Sequence, residues 1–428
     1  MEVLRDRGLG RALVEIGGDL VAGDPPPGRA GWRVQVETVP WDDTWSLELA
    51  NAAVATSGDV EQFIEVEEDG VIVRLGHLLD PRTGRPTKTR RESTAIVRGS
   101  RFNGADADAL ASIGVILGMR GAVRVADGTL DATLRVVEAT SGQAAGDDPG
   151  DWRVESLDFA SDPAWAGDLT AEVVCDGFAF TEGPVIRADG SVWFTDQPND
   201  RIIRWSAERG CETVIEPALR SNGLAVDGAG RLLACAEARN ELVRFDDDGD
   251  VTVRAAGGDV AGNASFNGPN DLWVGPDGAI WFTDPWYRRP WHPDDDWRRE
   301  PAVHRLDPDG DRDVVATGFG RPNGIVGTPD GSTLFVADID AGVLWRYPIE
   351  GDRLGERTSV VPLGSDGMTI AEDGRVLLTG RGVFVVDPAR RALIRTLVPD
   401  ESWCANVAVG NGSLWITARD RLLRIPAP

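Results

Sequence analysis

The feature that most constrains this chain is a repeat in its C-terminal two-thirds with a period of roughly 40 to 50 residues, the spacing of β-propeller blades. Six glycines recur in equivalent turns, at Gly190, Gly230, Gly278, Gly331, Gly374 and Gly412. A β-rich run follows each of them: SVWFTD, RLLACA, AIWFTD, STLFVAD, RVLLTG and SLWITA. An apolar stretch precedes each glycine, so each unit reads as strand, turn, strand. The expected fold class is mainly β, a six-bladed propeller over 169–428. Counting back eight residues from each glycine reaches Glu182, Asn222, Asn270, Asn323, Asp366 and Cys404. The innermost strands of a propeller begin at one face, so these positions should converge at the channel mouth. Five of the six carry a side-chain oxygen, whereas turn polarity alone would scatter Asn and Asp around the turns. Carboxylate and amide oxygens suit a hard divalent cation, Ca2+ or Mg2+, and zinc also accepts carboxylates.

At 428 residues the chain is long enough for two or three domains. Its formal charge of -26 argues against a nucleic-acid or anionic-membrane partner, since neutralising phosphates needs clustered Lys and Arg. Cys175, Cys211, Cys235 and Cys404 form no CxxC pair and read as ordinary buried thiols. No window reaches the ~18 apolar residues of a membrane span, and the N-terminus lacks a signal pattern, so a cytoplasmic protein is expected. MEVLRDRGLG reads as the last turns of a helix ending at glycine, which points to a natural start further upstream.

The motifs TEGP (Thr181–Pro184), SNGL (Ser221–Leu224), FNGPNDLWV with WFTDP, RPNGI (Arg321–Ile325) and SDGM (Ser365–Met368) stand in order. As a set they resemble the gluconolactonase and regucalcin (senescence marker protein) family, over about 152–428. The resemblance implies a metal-dependent lactonase or related esterase. It makes Glu182, Asn323 and Asp366 metal ligands, puts Asn270 at the metal or on the substrate, and leaves Asn222 as a further wall residue. Asp366 would also be the base that activates water. Regucalcin-like members carry an arginine two residues before the third-blade asparagine; here that position is Gly268, so their sugar-lactone contact is missing.

An insertion, DPWYRRPWHPDDDWRREPA (Asp284–Ala302), follows the second strand of the third blade and should overlie the mouth. Trp286, Tyr287, Trp291 and Trp297 could wall a substrate pocket, with Arg288, Arg289 and His292 as polar contacts; packing of these aromatics onto a neighbouring blade is the alternative. Asp196, Asp284 and Asp338 end their strands at near-equivalent points, which favours a turn-bonding role.

Residues 1–143 share none of this periodicity, and 144–168 read as a linker leading into the propeller, from the Gly- and Asp-rich SGQAAGDDPGDW. EIGGDL (Glu15–Leu20), ATSGD (Ala55–Asp59), HLLDPRTGRP (His77–Pro86) and ADALAS (Ala107–Ser112) resemble the C-terminal half of the FAD:protein FMN transferases, a magnesium-dependent family. The expected N-terminal domain is thus a partial α+β flavin-transferase fold. Asp108 and Ser112 lie four apart on a helix, so both oxygens share a face and could hold Mg2+. The resemblance assigns flavin contacts to Gly17, Gly18, Asp19, Thr56, Ser57, Gly58 and His77. Ser112 stands where the family has threonine, and the family's N-terminal half, with its lysine-glycine motif, does not precede Met1.

Three functions follow as expectations: a metal-dependent hydrolase of a small-molecule lactone or ester, a flavin transferase acting on an acceptor protein with the propeller as accessory, and a propeller that binds a small molecule without catalysis.

Overall fold

The computed structural model describes the chain except for residues 39–42, 61, 69, 100–103, 126, 140–151, 247–249, 257–265, 292–298, 399–400 and 402. It divides into two compact units, Met1–Ala166 with Ala392–Ile394, and Gly167–Arg391 with Arg395–Pro428. No helix among the described residues is long and apolar enough to cross a membrane.

The first unit is α+β. Its sheet runs Leu13–Ile16, Asp19–Ala22, Ala52–Gly58, Arg91–Arg98, Ala132–Ala139 and Trp152–Phe159, with antiparallel neighbours throughout. Trp152–Phe159, inside the stretch read as linker, is therefore a strand of this sheet. The helix Gly104–Ala122 packs its buried Ala107, Leu110, Ala111 and Val115 against the central strands. Gly114 lets it approach closely, because a Cβ there would meet the Ser93 side chain. The expected helix end at the N-terminus is present as Glu2–Asp6, followed by Gly8 at φ +76°.

The second unit is the propeller. The first blade consists of Thr181–Ile186, Val192–Asp196, Arg201–Ser206 and Gly210–Ile215, hydrogen-bonded in that order from inside outward. Four more blades begin at Ser221, Leu272, Pro322 and Met368 and keep the same antiparallel order. The sixth is composite: Asn406–Gly410, Ser413–Ala418 and Arg421–Pro426 are completed by Glu172–Asp176 from the start of the unit. Between blades the core is apolar. Ile202 of the first blade, for instance, joins Leu224, Leu232, Ala234 and Val243 of the second in one buried cluster. Each small twisted sheet buries its faces against the neighbouring blades, and closing the blades into a ring leaves no face uncovered.

Two expectations need correction. Cys175 and Cys211 are not free thiols but a disulfide, joining the outer strand of the sixth blade to that of the first. Ring closure brings these residues together, a juxtaposition that cysteine spacing cannot reveal. Cys235 and Cys404 are free and buried. The sixth ring position is also off by one. Asn270 N and Asp366 N bond to the carbonyls of Thr283 and Thr379, and the equivalent bond in the sixth blade runs from Ala405 N to Thr417 O at 2.8 Å. Ala405, not Cys404, is the counterpart. The sixth hairpin turns tightly on Asn411 and Gly412, both at positive φ, so counting back from its glycine overshoots.

Candidate active site

The mouth is positioned by the aspartates that end the second strands. Asp196 Oδ1 accepts from Ala179 N and Phe180 N at 3.0 and 3.3 Å, just upstream of Glu182. Asp284 takes Asn267 N and Gly268 N at 3.0 and 2.9 Å, upstream of Asn270. Asp338 takes Gly320 N and Arg321 N at 2.8 and 2.9 Å, upstream of Asn323. Their role is to fix the backbone from which each ring residue projects. One residue before these aspartates, threonines stitch blade to blade: Thr195 Oγ1 donates to Asn222 O at 3.1 Å and Thr283 Oγ1 to Asn323 O at 2.7 Å.

Glu182, Asn222, Asn270 and Asn323 are all buried, and Asp366 is partly buried. Asn323 Nδ2 donates to Asp366 Oδ1 at 2.8 Å and to the Tyr287 hydroxyl at 2.6 Å. Trp403 Nε1 donates to Asp366 Oδ2 at 2.6 Å. Glu182 Oε2 accepts from Gly183 N at 3.1 Å. The side-chain amides of Asn222 and Asn270 have no hydrogen-bond partner among the described residues, although both residues are under 5% exposed. Neither amide is sealed from solvent without a partner, so each remains open to a ligand.

The electrostatics point the same way. Burial pushes the Glu182 carboxyl well above its ordinary range, and the nearby charges of Asp366 and Asp271 add to the rise. Burial raises Asp366 to about 6, against the hydrogen bonds from Trp403 and Asn323 and the Arg289 charge, which pull it down. Asp271 is raised to about 7 by burial, offset by the backbone of Leu272 and Ile325 and by the Asn406 side chain. Carboxylates crowded out of water call for protons or a cation. Among the described residues no cluster of three or more His, Cys, Asp or Glu side chains is arranged to hold a metal. The oxygens that could hold a divalent ion are instead mixed: the carboxylates of Glu182 and Asp366 and the amide oxygens of Asn222, Asn270 and Asn323.

Sequence reading missed three of these residues. Trp403 stands outside the repeat. Asp271 and Asn406 follow ring residues directly, where the other four blades have Gly183, Gly223, Gly324 and Gly367. That break in an otherwise uniform glycine column was the available signal. A Cβ at Gly223 would press on Asp271 and one at Gly367 on Asn406, so the glycines make room for the two side chains.

Of the insertion, residues through Trp291 are described, whereas His292 and Trp297 lie outside the described residues. Trp286, Tyr287 and Trp291 are partly buried and Arg288 is exposed. Tyr287 reaches the ring through Asn323. Arg289 Nε donates to Glu237 Oε1 at 2.7 Å, and its guanidinium lies 4.8 Å from the Tyr287 ring centre and 5.6 Å from that of Trp291.

In the first unit, Asp19 is raised by burial and by the charge of Asp108, so these two carboxylates are neighbours. Ser57 and Ser112 hydroxyls are 3.2 Å apart, and Thr56 bonds Thr94 at 3.0 Å. Gly17 and Gly18 form the hairpin turn at φ +65° and +97°, and Gly18 N donates to Glu15 Oε1 at 3.0 Å. Gly58 ends its strand, and His77 is exposed. Asp59, not singled out in the sequence, is buried and accepts from Thr89 and Arg91 N, a structural role.

The ApbE family model matches residues 1–135. The FAD:protein FMN transferase of Vibrio cholerae is 30% identical over 144 residues, 33% of this chain and 41% of that protein. The gluconolactonase of Zymomonas mobilis is 28% identical over 202 residues, 43% of this chain and 56% of that protein. The chain thus spans 56% and 41% of the lengths of these two curated relatives. Among solved structures, a gluconolactonase of Xanthomonas campestris, described as important in glucose secondary metabolic pathways, is 29% identical. The match covers 61% of this chain and 90% of that one with a TM-score of 0.56. The SMP-30/gluconolactonase/LRE-like region model matches residues 180–420, more than half of the sequence, and the chain belongs to that family.

Proposed function

We propose that the propeller is a divalent-metal-dependent hydrolase of a lactone or related ester. The observation that carries this reading is the pairing of two mutually repelling carboxyls, Glu182 and Asp366, with the unpartnered amides of Asn222 and Asn270 at one mouth. Glu182, Asn270, Asn323 and Asp366 would hold the ion, with Asn222 beside them; Ca2+, Mg2+ and Zn2+ all accept such oxygens. When bound, the ion would polarise the ester carbonyl. Asp366 would take the proton of the attacking water. Trp403 and Asn323 hold the two Asp366 oxygens in place. Trp286, Tyr287 and Trp291 wall the substrate.

The test supplies Ca2+, Mg2+ or Zn2+ to the purified chain and assays a panel of lactones and aryl esters. Hydrolysis that chelation abolishes and Asp366→Ala removes is expected. An inert protein overturns the reading in favour of a binding propeller, and hydrolysis that Asp366→Ala leaves intact removes Asp366 from the chemistry.

The proximity of Asp19 to Asp108, with Ser57 and Ser112 in contact, favours a second reading for the first unit, a Mg2+- and FAD-dependent site modifying an acceptor protein. Covalent FMN on an acceptor incubated with FAD and Mg2+ tests it; no transfer is the contrary result.

A further inference from the structure

The insertion delivers to the mouth a cation that lactone hydrolysis itself does not require. Arg289 is about three-quarters buried against Glu237, which is 4% exposed. Arg289 reaches Glu237 through Nε, and the other Glu237 oxygen takes Gln197 Nε2 at 2.5 Å. The two terminal nitrogens of Arg289 have no hydrogen-bond partner among the described residues. Close by, the Trp291 indole N–H is buried and likewise unpartnered. The guanidinium cannot swing away freely. It is stacked beside Tyr287 and Trp291, while Arg220 and Arg321 stack on those same rings at 5.2 and 4.9 Å. Its charge is felt by both Glu182 and Asp366, so it borders the candidate reaction centre.

Room for this arrangement comes from the third blade. Gly268, at φ +140°, lies beneath Glu237, and a Cβ there would sit 3.4 Å from the Glu237 side chain. A larger residue at 268 would compete with Arg289 for the Glu237 carboxylate. A guanidinium pinned through Nε presents its Nη1–Nη2 edge as a rigid two-donor fork, the geometry that matches a carboxylate. In a chain of net charge -26, an anionic substrate needs such a local anchor to overcome general repulsion.

We infer that Arg289 is a specificity residue that binds a carboxylate on the substrate, so that the preferred substrate is a lactone or ester bearing an acid group near the scissile carbonyl. This rests on the hydrolase reading above. The test compares 5-oxotetrahydrofuran-2-carboxylate with its neutral hydroxymethyl analogue, using the metal-loaded full chain. At least a 10-fold higher kcat/KM for the carboxylate is expected. Arg289→Gln should abolish that preference mainly through KM, with a smaller fall on the neutral lactone. Arg289→Lys, which keeps the charge and loses the fork, should restore only part of it. Equal rates on the two lactones in the wild-type chain overturn the inference while leaving the hydrolase reading standing, and no folded variant is needed for that result. If neither lactone is hydrolysed, binding of cyclopentanecarboxylate by calorimetry still decides it. Binding that Arg289→Gln weakens 10-fold or more supports the subsite. No binding, or binding matched by inorganic phosphate, refutes it.

Discussion

Trp403 donates its indole N–H to Asp366 Oδ2 at 2.6 Å, while Asn323 serves Oδ1 at 2.8 Å, so each oxygen of the candidate base is held by a different blade. A hydrogen bond to a charged group contributes about 1.5–3 kcal/mol. Trp403→Phe keeps the ring and loses the donor. It should lower kcat about 10-fold or more with little change in KM, the pattern of a group that positions the base without binding substrate. Steady-state kinetics on any accepted lactone checks this, and an unchanged kcat would deny Trp403 that role.

Asp366 ties the site to stability in the opposite sense. Its carboxyl is raised to about 6 in the fold, above the ordinary ~4. The native state therefore holds that proton more tightly than the unfolded chain, and the stability this gives is lost as pH rises from about 4 through 6. In metal-free protein at pH 8, Asp366→Asn should be more stable than the wild type, by on the order of 2 kcal/mol. The gain should shrink towards pH 4. Denaturation in chelator at several pH values reads this, and added divalent cation should stabilise the wild type and not the variant.

How much of this was legible depends on what the chain repeats. The blade count follows from turn glycines such as Gly190 and Gly278, because a left-handed turn position admits little else and so recurs visibly. Glu182, Asn270, Asn323 and Asp366 could be named because a fixed strand register carries one position to one place in every blade. Cys404 was misread for Ala405 because one turn is shorter, a local change that a fixed offset cannot follow. Trp403 and the pairing of Arg289 with Glu237 were out of reach: each contact joins segments that are distant in sequence, and nothing periodic marks Trp403 or Glu237.

The disulfide Cys175–Cys211 closes the ring seam and spans 36 residues. On loop-closure entropy a cross-link of that span stabilises by about 4 kcal/mol. Cys175→Ser should lower the propeller's unfolding free energy by roughly that amount, and reductant should do the same to the wild type while leaving the variant unaffected. Cys235 and Cys404, buried and with thiols pushed above their ordinary range, should resist alkylation until the propeller unfolds. Denaturant titrations and thiol counting give both answers.

The last prediction concerns Asp196, which has no exposure and no place in the chemistry. Its carboxylate takes two backbone N–H groups above Glu182, the Asn199 amide at 2.8 Å and the Arg201 guanidinium at 2.8 Å. Removing one partner of a buried charged network costs about 3–5 kcal/mol, since the donors left behind are stranded. Asp196→Ala should therefore destabilise the propeller by that order. It should also release the backbone that aims Glu182, so metal affinity should fall although no ligand has been touched. Asp196→Asn keeps an acceptor for the backbone and should recover much of the stability. A stable Asp196→Ala protein with unaltered metal binding would show that the strand-end aspartates do not position the mouth.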